Sequence, residues 1–306
     1  MTDLLITIAI PAYNNEKTIE KTINSCLMQE TDINYEVLIV DDASTDSTPD
    51  ILASYNDPKI RVVTLKERVP LIVNHNVCFQ NALGKYVLFC HADDRLQDHA
   101  VKTFAKKLKK RNYPKQYIVW GHSMFRDFSA KAIRDAGFSY NEIVVGEFAP
   151  LMFLYGGLTP SGTCYSRDSF LEAGGFLKTT MNAAPSDMTT MIYLAMQGFR
   201  FEMIDEMVLD RETSSTAVQS SDENIYLNEL DNAFNYFIET IDQKDIKKLI
   251  TMSSKQSTKP YYFYYTIARD KYQRKQIKQI LFREVLKKPW ILKSSLVQKI
   301  LKRIYT

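Results

Sequence analysis

The chain of 306 residues is 45% hydrophobic, which is ample for a globular core, and its formal net charge is +3. No apolar stretch is long enough to span a membrane, no signal peptide is recognisable, and the four cysteines are spaced neither as metal ligands nor as a redox pair. These features exclude a membrane-spanning protein and a cysteine-bound metal centre. They predict buried free thiols in a cytoplasmic protein.

Strand and helix patterns alternate along the first 120 residues. Short apolar runs predict strands at 4–10, 35–40, 60–65, 86–90 and 116–120. Helical patterns separate them at 16–28, 47–55, 71–83 and around 101–108, with Ser47 as the expected N-cap of the second helix. This alternation predicts a mainly parallel, doubly wound α/β sheet, in which ligands bind beyond the carboxyl ends of the strands.

Two pairs of adjacent carboxylates, Asp41-Asp42 and Asp93-Asp94, follow two of the predicted strands. Like charges this close are costly unless a cation shares the site, such as a divalent metal that holds phosphate oxygens. A solvated acidic turn or a helix N-cap is the alternative for either pair taken singly. Because both pairs and the polar loop 11–15 follow strands, we favour a ligand site over solvated loops.

Glycine-rich phosphate-binding loops are missing from the sequence. No Gly-x-Gly-x-x-Gly follows the first strand, and no Gly-x-x-x-x-Gly-Lys-Ser/Thr occurs anywhere. This excludes a dinucleotide-dependent dehydrogenase and a P-loop nucleoside triphosphatase. A bound diphosphate would therefore have to be neutralised by a metal on the second acidic pair.

In combination, these motifs resemble a family 2 glycosyltransferase with a GT-A fold. The matching segments are 8–14, 40–46 and 84–94, and the resemblance extends over roughly residues 4–215 in order and spacing. It implies a GT-A domain over residues 1–220, with a nucleotide-binding half and an acceptor half, followed by a helical extension over 221–306. It also implies a nucleoside diphosphate sugar as the donor substrate.

The resemblance assigns roles to individual residues. Those that would contact the nucleotide are Pro11, Ala12, Tyr13, Asp41, Asp42, Asn76 and Asp93. Asp42 would hydrogen-bond the base, the uracil imide if the donor is a uridine nucleotide, and Asp41 would support its loop. Asp94 would be the principal ligand of Mn²⁺ or Mg²⁺.

In the nucleotide-binding half, the sequence departs from the family pattern at the Asp-x-Asp motif and at His75. The usual Asp-x-Asp becomes His91-Ala92-Asp93-Asp94. His91 as a neutral imidazole could approach the diphosphate or support the metal site, although a histidine packed at the strand end is the favoured alternative. His75 stands where the family commonly has an arginine, and Arg68 either replaces that charge near the diphosphate or is an ordinary surface residue.

The acceptor half resembles the family from Gly174-Gly175-Phe176, the turn before the catalytic segment. Asp187 matches the family's general base, in a motif where Ser186 replaces glutamate. The resemblance implies that Asp187 deprotonates the acceptor hydroxyl in a single displacement that inverts the anomeric centre. Helix capping is the alternative role for this carboxylate. Arg211 matches a region of diphosphate or acceptor contacts.

The C-terminal segment differs sharply in charge from the rest of the chain. Residues 252–306 hold fourteen Lys or Arg and two acidic residues, a net charge of +12, whereas the remainder holds 25 basic and 34 acidic residues, or −9. With its aromatic cluster at 261–265 and apolar stripe, the segment 259–306 predicts an interfacial helix on an anionic membrane. A solvated helical subdomain or a homodimer bundle is the alternative. Nucleic-acid binding finds no motif support.

These observations predict an inverting, metal-dependent hexosyltransferase peripheral to the inner face of the cell membrane. It would move a sugar from a nucleoside diphosphate sugar, a UDP-sugar by preference, to a glycan or lipid-linked oligosaccharide of a surface polysaccharide or O-antigen. A nucleotidyltransferase is disfavoured because the loop 11–15 is not rich in glycine and lysine. The other alternative is a catalytically silent nucleotide-binding scaffold or membrane adaptor, which the presence of Asp94 and Asp187 disfavours.

Overall fold

A computed structural model of the chain describes residues 4–123, 140–144, 160–177, 190–191, 193–195 and 197–211, with the single residues 286 and 289. The strands are β1 (Ile6–Ala12), β2 (Tyr35–Asp41), β3 (Ile60–Thr64), β4 (Tyr86–Phe89), β5 (Asp94–Leu96), β6 (Tyr117–Ser123), β7 (Ile143–Val144), β8 (Thr163–Ser166) and β9 (Arg200–Arg211). The helices with complete bounds are α1 (Ile19–Leu27), α2 (Thr48–Ala53), α3 (Leu71–Asn81), α4 (Ala100–Lys110) and α5 (Arg167–Glu172). Together they form one α/β unit.

All of these strands belong to one sheet in the order β3-β2-β1-β4-β8-β6-β9-β5, with β7 also paired to β9. The four strands from β3 to β4 are parallel, β8 is antiparallel to both of its neighbours, and β6 and β9 are again parallel to each other. The predicted mainly parallel sheet is confirmed. Because β2 and β4 lie on opposite sides of β1, the strand order reverses there and leaves a crevice beyond its carboxyl end.

The centre of the sheet is covered on both faces, which explains why its sequences are apolar rather than alternating. Every residue of β1, β2 and β4 is buried. Helix α1 buries Ile19, Ile23 and Cys26 on its inner side. All four cysteines are buried and unpaired, as predicted.

Gly84 positions the start of β4 against β1. A β-carbon at Gly84 would lie 2.5 Å from the backbone nitrogen of Thr7, so only glycine fits there. The Gly84 N–H donates to Thr7 Oγ1 at 2.8 Å, and that hydroxyl donates to Glu36 Oε1 at 2.6 Å. This contact fixes the register of β4 and hence the position of the residues that follow it.

The start of α2 differs from the prediction. Ser47 makes no capping hydrogen bond. Instead, the carboxylate of Asp46 accepts from the N–H of Thr48 at 2.9 Å, so the aspartate one residue earlier caps the helix. Ser47 is at the predicted N-cap position, but its side chain does not make the capping bond.

The predicted C-terminal extension, 221–306, lies outside the described residues apart from 286 and 289. Its predicted helices and membrane contact are therefore not described by the structure. Within the described part of the chain, no helix combines the length and apolar character that a bilayer crossing requires.

Candidate active site

The predicted site residues of four separate strands meet at one edge of the sheet. Strands β1, β2 and β4 are parallel, and the two antiparallel pairings of β8 bring β6 and β9 back to the same direction. The carboxyl ends of all these strands therefore lie on the same side. The residues found there are Tyr13, Asp41, Asp42, His91 and Arg211.

The loops after β1 and β2 are joined by side-chain hydrogen bonds. The N–H of Asn14 donates to Ser44 Oγ at 2.9 Å, and the N–H of Thr45 donates to Asn14 Oδ1 at 2.8 Å. Asn14 and Ala43 have positive φ angles of 52° and 54°. Such a conformation costs alanine about 1 kcal/mol, and strain of this kind concentrates at functional sites. The two loops thus form one rigid wall beside the acidic pair.

Asp41 and Asp42 are buried in this wall, with 0% and 3% of their surface exposed. Asp42 Oδ1 accepts from the N–H of Val69 at 2.8 Å, and Asp41 Oδ1 accepts from the N–H of Ser44 at 3.3 Å. Asp41 Oδ2 has no hydrogen-bond partner among the described residues. Burial raises the pKa of Asp42, and the Asp41 charge adds to it, while the Val69 N–H and the Arg68 charge act in the opposite direction.

Tyr13 and Arg68 form the exposed part of the same corner. The guanidinium of Arg68 lies 4.0 Å from the centroid of the Tyr13 ring, which is cation–π geometry. Pro11 and Ala12 are buried at the end of β1, so Tyr13 is the member of this predicted trio whose side chain reaches the surface. The structure therefore brings Arg68 to the predicted nucleoside residues.

The turn between β4 and β5 brings a second set of groups together. One ring nitrogen of His91 and one oxygen each of Asp93 and Asp94 lie within 4.8 Å of one another. Asp94 is 2% exposed, and its Oδ1 lies 4.0 Å from Nε of Arg211, the residue opposite it in the β5–β9 pair. Two carboxylates and an imidazole at this spacing fit a divalent cation.

His91 also contacts His75 on α3. It is therefore both packed at the strand end and close to the acidic cluster, the two alternatives that the sequence left open. Their Nε2 atoms are 3.1 Å apart, and His75 Nδ1 lies 2.7 Å from the carbonyl oxygen of Leu71. Burial lowers the pKa of His75 to about 4. Burial, with smaller contributions from the charges of His75 and Arg211, also holds the pKa of His91 well below its ordinary value. Both rings are therefore neutral at physiological pH.

Asn76 makes contacts beyond the one that the resemblance assigned to it. Its Oδ1 accepts from the N–H of Phe176 at 2.8 Å and its Nδ2 donates to the carbonyl of Phe176 at 2.9 Å. A β-carbon on Gly175 would lie 2.5 Å from Asn76 Oδ1. Both ends of the amide therefore hold the turn 174–176 against α3, and the nucleotide contact of Asn76 stays a prediction.

Asp187, the predicted general base, lies outside the described residues. The helix predicted to follow it is described in part, since residues 190–191 and 193–195 are helical. Its predicted apolar positions, Met191, Leu194 and Ala195, are all buried. The N–H of Leu177 donates to Thr190 Oγ1 at 2.9 Å, which ties this helix to the segment that follows α5.

Ser161 near the site and Glu202 toward the other end of β9 make polar contacts that were not predicted. Ser161, which the sequence marked only as part of a loop, accepts from the N–H of His91 at 3.0 Å. Glu202 is fully buried on β9 and accepts from Lys107, Arg111 and Tyr117. The sequence gives no local signal for either contact, because each partner lies far away along the chain.

Comparisons with known proteins identify the family. The model of "Glycosyl transferase family 2" matches residues 7–149. The putative teichuronic acid biosynthesis glycosyltransferase TuaG of Bacillus subtilis is 41% identical over 93 residues, 30% of this chain and 36% of that protein. The UDP-Glc:alpha-D-GlcNAc-diphosphoundecaprenol beta-1,3-glucosyltransferase WfgD of Escherichia coli is 34% identical over 94 residues, 31% and 37% of the two chains. These alignments span little more than a third of either relative.

The fold is shared with a solved glycosyltransferase. The crystal structure of S. aureus TarS 1-349 in complex with UDP-GlcNAc matches with a TM-score of 0.63 at 18% identity, over 90% of this chain and 79% of that one. A likeness at this identity concerns the fold, which is GT-A. The resemblance seen in the motifs is thereby confirmed for the part of the chain that the model of glycosyl transferase family 2 matches, residues 7–149.

Proposed function

We propose that this chain is an inverting glycosyltransferase that moves a sugar from a UDP-sugar to a glycan or lipid-linked oligosaccharide in surface polysaccharide synthesis. The observation that carries the proposal is the meeting of two groups at one sheet edge. The first is the Asp42–Tyr13–Arg68 corner, and the second is the cluster around Asp94. The names of WfgD and of the TarS complex support a uridine nucleotide donor.

The first group suits a nucleoside. Asp42 holds one carboxylate oxygen on the Val69 N–H, and its second oxygen is the acceptor that a uracil imide N–H requires. The Tyr13 ring and the Arg68 guanidinium offer flat surfaces for stacking and a positive charge beside the phosphates. The positive charge of Arg68 would thus take the place of the arginine that the family commonly has at the position of His75.

The second group suits a diphosphate with its cation. His91, Asp93 and Asp94 would hold Mn²⁺ or Mg²⁺, and a divalent cation supplies charge that stabilises a departing nucleoside diphosphate. Arg211 adds a fixed positive charge beside Asp94. The N–H of His91 is held by Ser161, so the turn that carries these groups is fixed to the neighbouring β8 loop.

Asp187 is the proposed general base for the acceptor hydroxyl. The buried face of the helix that follows it and the Asn76–Phe176 contacts would hold its segment in place. We predict that Asp187→Asn keeps UDP affinity within about twofold and lowers the transfer rate by about 10²–10⁴-fold, because the amide cannot take a proton. UDP release during transfer measures this rate, and transfer close to the wild-type rate would remove Asp187 as the base.

The proposal is tested by calorimetric titration of UDP and GDP, with and without Mn²⁺, into the wild type and Asp94→Ala. We expect Mn²⁺-dependent UDP binding that Asp94→Ala weakens at least about tenfold. Tight UDP binding with the same affinity in the presence and absence of Mn²⁺ would contradict the cation site but would still agree with a glycosyltransferase. The failure of every nucleotide to bind would overturn the function and favour the silent scaffold.

We further propose that the basic segment 259–306 attaches the enzyme to an anionic membrane surface, where a lipid-linked acceptor would be found. The support is its charge and its apolar and aromatic pattern in the sequence. A homodimer through the same segment is the alternative proposal.

A further inference from the structure

We propose that His75 fixes the tautomer of His91 so that His91 presents Nδ1 as a nitrogen ligand to the cation site of Asp93 and Asp94. The inference rests on the proposed function, because it concerns the same cation. It makes His75 a positioning residue and gives this chain a mixed nitrogen and oxygen site in place of an all-oxygen one.

The Leu71 carbonyl determines which nitrogen of His75 carries the proton. Its oxygen lies 2.7 Å from His75 Nδ1, and a carbonyl oxygen can only accept a hydrogen bond. The proton of the neutral His75 ring is therefore on Nδ1. Its Nε2 is left with a lone pair and can only accept.

The contact between His75 and His91 determines in turn which nitrogen of His91 carries the proton. Nε2 of His75 and Nε2 of His91 are 3.1 Å apart, and one of two hydrogen-bonded nitrogens has to donate. Because His75 Nε2 accepts, His91 Nε2 carries the proton. A neutral imidazole has one proton, so the lone pair of His91 is on Nδ1. His91 can then offer only Nδ1 to a cation, and one of its ring nitrogens lies within 4.8 Å of an oxygen of Asp93 and of Asp94.

Packing keeps this arrangement in one orientation. The His75 ring is 2% exposed, stacks on Phe89 at 5.2 Å between centroids and meets Phe176 edge-on at 5.6 Å. His91 meets His75 edge-on at 5.2 Å. A buried, stacked His75 cannot rotate to offer a donor instead of an acceptor. Partners of this kind, which orient a ligating imidazole, typically change metal affinity by 10- to 100-fold.

The inference has a consequence for metal choice. Mg²⁺ takes oxygen ligands, whereas an imidazole favours transition ions, with affinity rising from Mn²⁺ to Co²⁺. We expect the wild type to bind Mn²⁺ and Co²⁺ at least about tenfold more tightly than Mg²⁺. His91→Asp, which supplies a carboxylate at the same position, should reduce the difference between the affinity for these two ions and the affinity for Mg²⁺.

The first measurement needs no metal. With histidine labelled at its ring nitrogens in the full chain, long-range proton–nitrogen NMR spectra distinguish protonated from unprotonated ring nitrogens. The chain has four histidines, so single substitutions assign them. We expect a protonated Nε2 for His91 and a protonated Nδ1 for His75, and His75→Phe should abolish the single tautomer of His91. The opposite tautomer of His91 in the wild type would overturn the inference.

The second measurement uses Mn²⁺ with UDP and pulsed electron paramagnetic resonance, which detects a nitrogen bound to the metal. We expect a nitrogen coupling in the wild type that disappears in His91→Asp. His75→Phe, which keeps the ring stacking, should weaken Mn²⁺ binding about tenfold, whereas His75→Gln, which restores an acceptor, should recover part of it. His99→Gln is the matched control, since His99 contacts Asp98 and Met207 instead and should leave the signal unchanged.

The outcomes separate this inference from the proposed function. Mn²⁺-dependent UDP binding without a nitrogen coupling would overturn the inference and leave the transferase intact. A nitrogen coupling that His75→Phe leaves unchanged, with unchanged Mn²⁺ affinity, would remove His75 as the positioning residue. UDP binding that requires neither Mn²⁺ nor Asp94 would overturn the cation site itself, and the inference with it.

Discussion

Asp42 offers the sharpest test of the nucleoside assignment at the scale of a residue. In Asp42→Asn, the amide oxygen can still accept from the Val69 N–H. The NH₂ group that replaces the second oxygen is a donor, so it cannot accept from the uracil imide N–H. A lost hydrogen bond to a charged group is worth about 1.5–3 kcal/mol, so UDP affinity should fall about 10- to 100-fold in calorimetry.

Asp57→Asn is the matched control for this substitution. Asp57 Oδ1 also accepts from a backbone N–H, that of Lys59 at 2.8 Å, but it precedes β3 and lies at the other edge of the sheet. UDP affinity should stay unchanged there. Equal losses in the two variants would mean that Asp42 acts through stability rather than through the base.

Glu202 is a residue whose charge should matter to stability rather than to chemistry. Burial raises the pKa of Glu202, but hydrogen bonds from Arg111, Tyr117 and Lys107 outweigh it and bring the pKa from 4.5 to about 2. As the pH falls below 4.5, the unfolded chain takes up the proton first. The stabilisation is therefore present above pH 4.5 and is lost as the pH falls toward 2.

Urea unfolding between about pH 5 and pH 3 measures this loss, which amounts to about 3 kcal/mol over the whole window between the two pKa values. Glu202→Gln should be less stable at neutral pH, because it leaves Lys107 and Arg111 with a weaker partner, and its stability should depend less on pH. If the free energy of unfolding of Glu202→Gln fell equally steeply with decreasing pH, other carboxylates would be the cause of the loss.

The contiguous motif residues could be predicted from the sequence, but the contacts between distant residues could not. Asp41-Asp42 and Asp93-Asp94 stand out because each pair follows a short apolar run. His75 and His91 are 16 residues apart on a helix and a strand end, and only the packing of α3 on the sheet brings their rings together. The hydrogen bonds of the Asn76 amide to Phe176 could likewise not be predicted, because Phe176 lies 100 residues later in the chain.

At the scale of an element, Asn76 holds α3 to the turn that leads toward the proposed base. We predict that Asn76→Ala lowers the free energy of unfolding by about 1–3 kcal/mol and slows transfer, while UDP affinity stays within about twofold. Gln80→Ala is the matched control, one turn later on α3 and exposed. Unfolding, calorimetry and UDP release measure the three effects. A large loss of UDP affinity in Asn76→Ala alone would support its predicted role as a nucleotide ligand.

The parallel half of the sheet was predictable because each of its strands is a local apolar run between turn signals. The predicted strand 35–40 and helix 71–83 differ from the observed β2 and α3 by one and two residues at their ends. Strand β8 was missed because its four residues carry little pattern, and its partner β4 lies about 75 residues earlier. Strand β5 was missed because its three residues pair with β9, more than 100 residues later.

At the scale of the whole molecule, the distribution of charge separates an acidic body, residues 1–251, from the basic C-terminal segment, residues 252–306. The body carries −9 and residues 252–306 carry +12, so an anionic surface would attract one end of the protein and repel the rest. An attachment of this kind would leave the acidic body, with its nucleotide edge, on the aqueous side. The sequence predicts the charge of each part but not how the parts are arranged, because net charge does not specify contacts between residues.

We therefore predict that the full chain binds vesicles that contain phosphatidylglycerol, does not bind pure phosphatidylcholine vesicles, and loses binding as salt is raised. Replacing Lys299, Lys302 and Arg303 with Gln should weaken binding at least about tenfold, since each charge near the surface contributes about 1 kcal/mol. The matched control replaces Lys102, Lys106 and Lys109, three exposed lysines of α4, with Gln. Sedimentation with vesicles measures the binding, and equal losses in both triple variants would contradict a specific role of the C-terminal segment, because the attraction would then depend only on total charge.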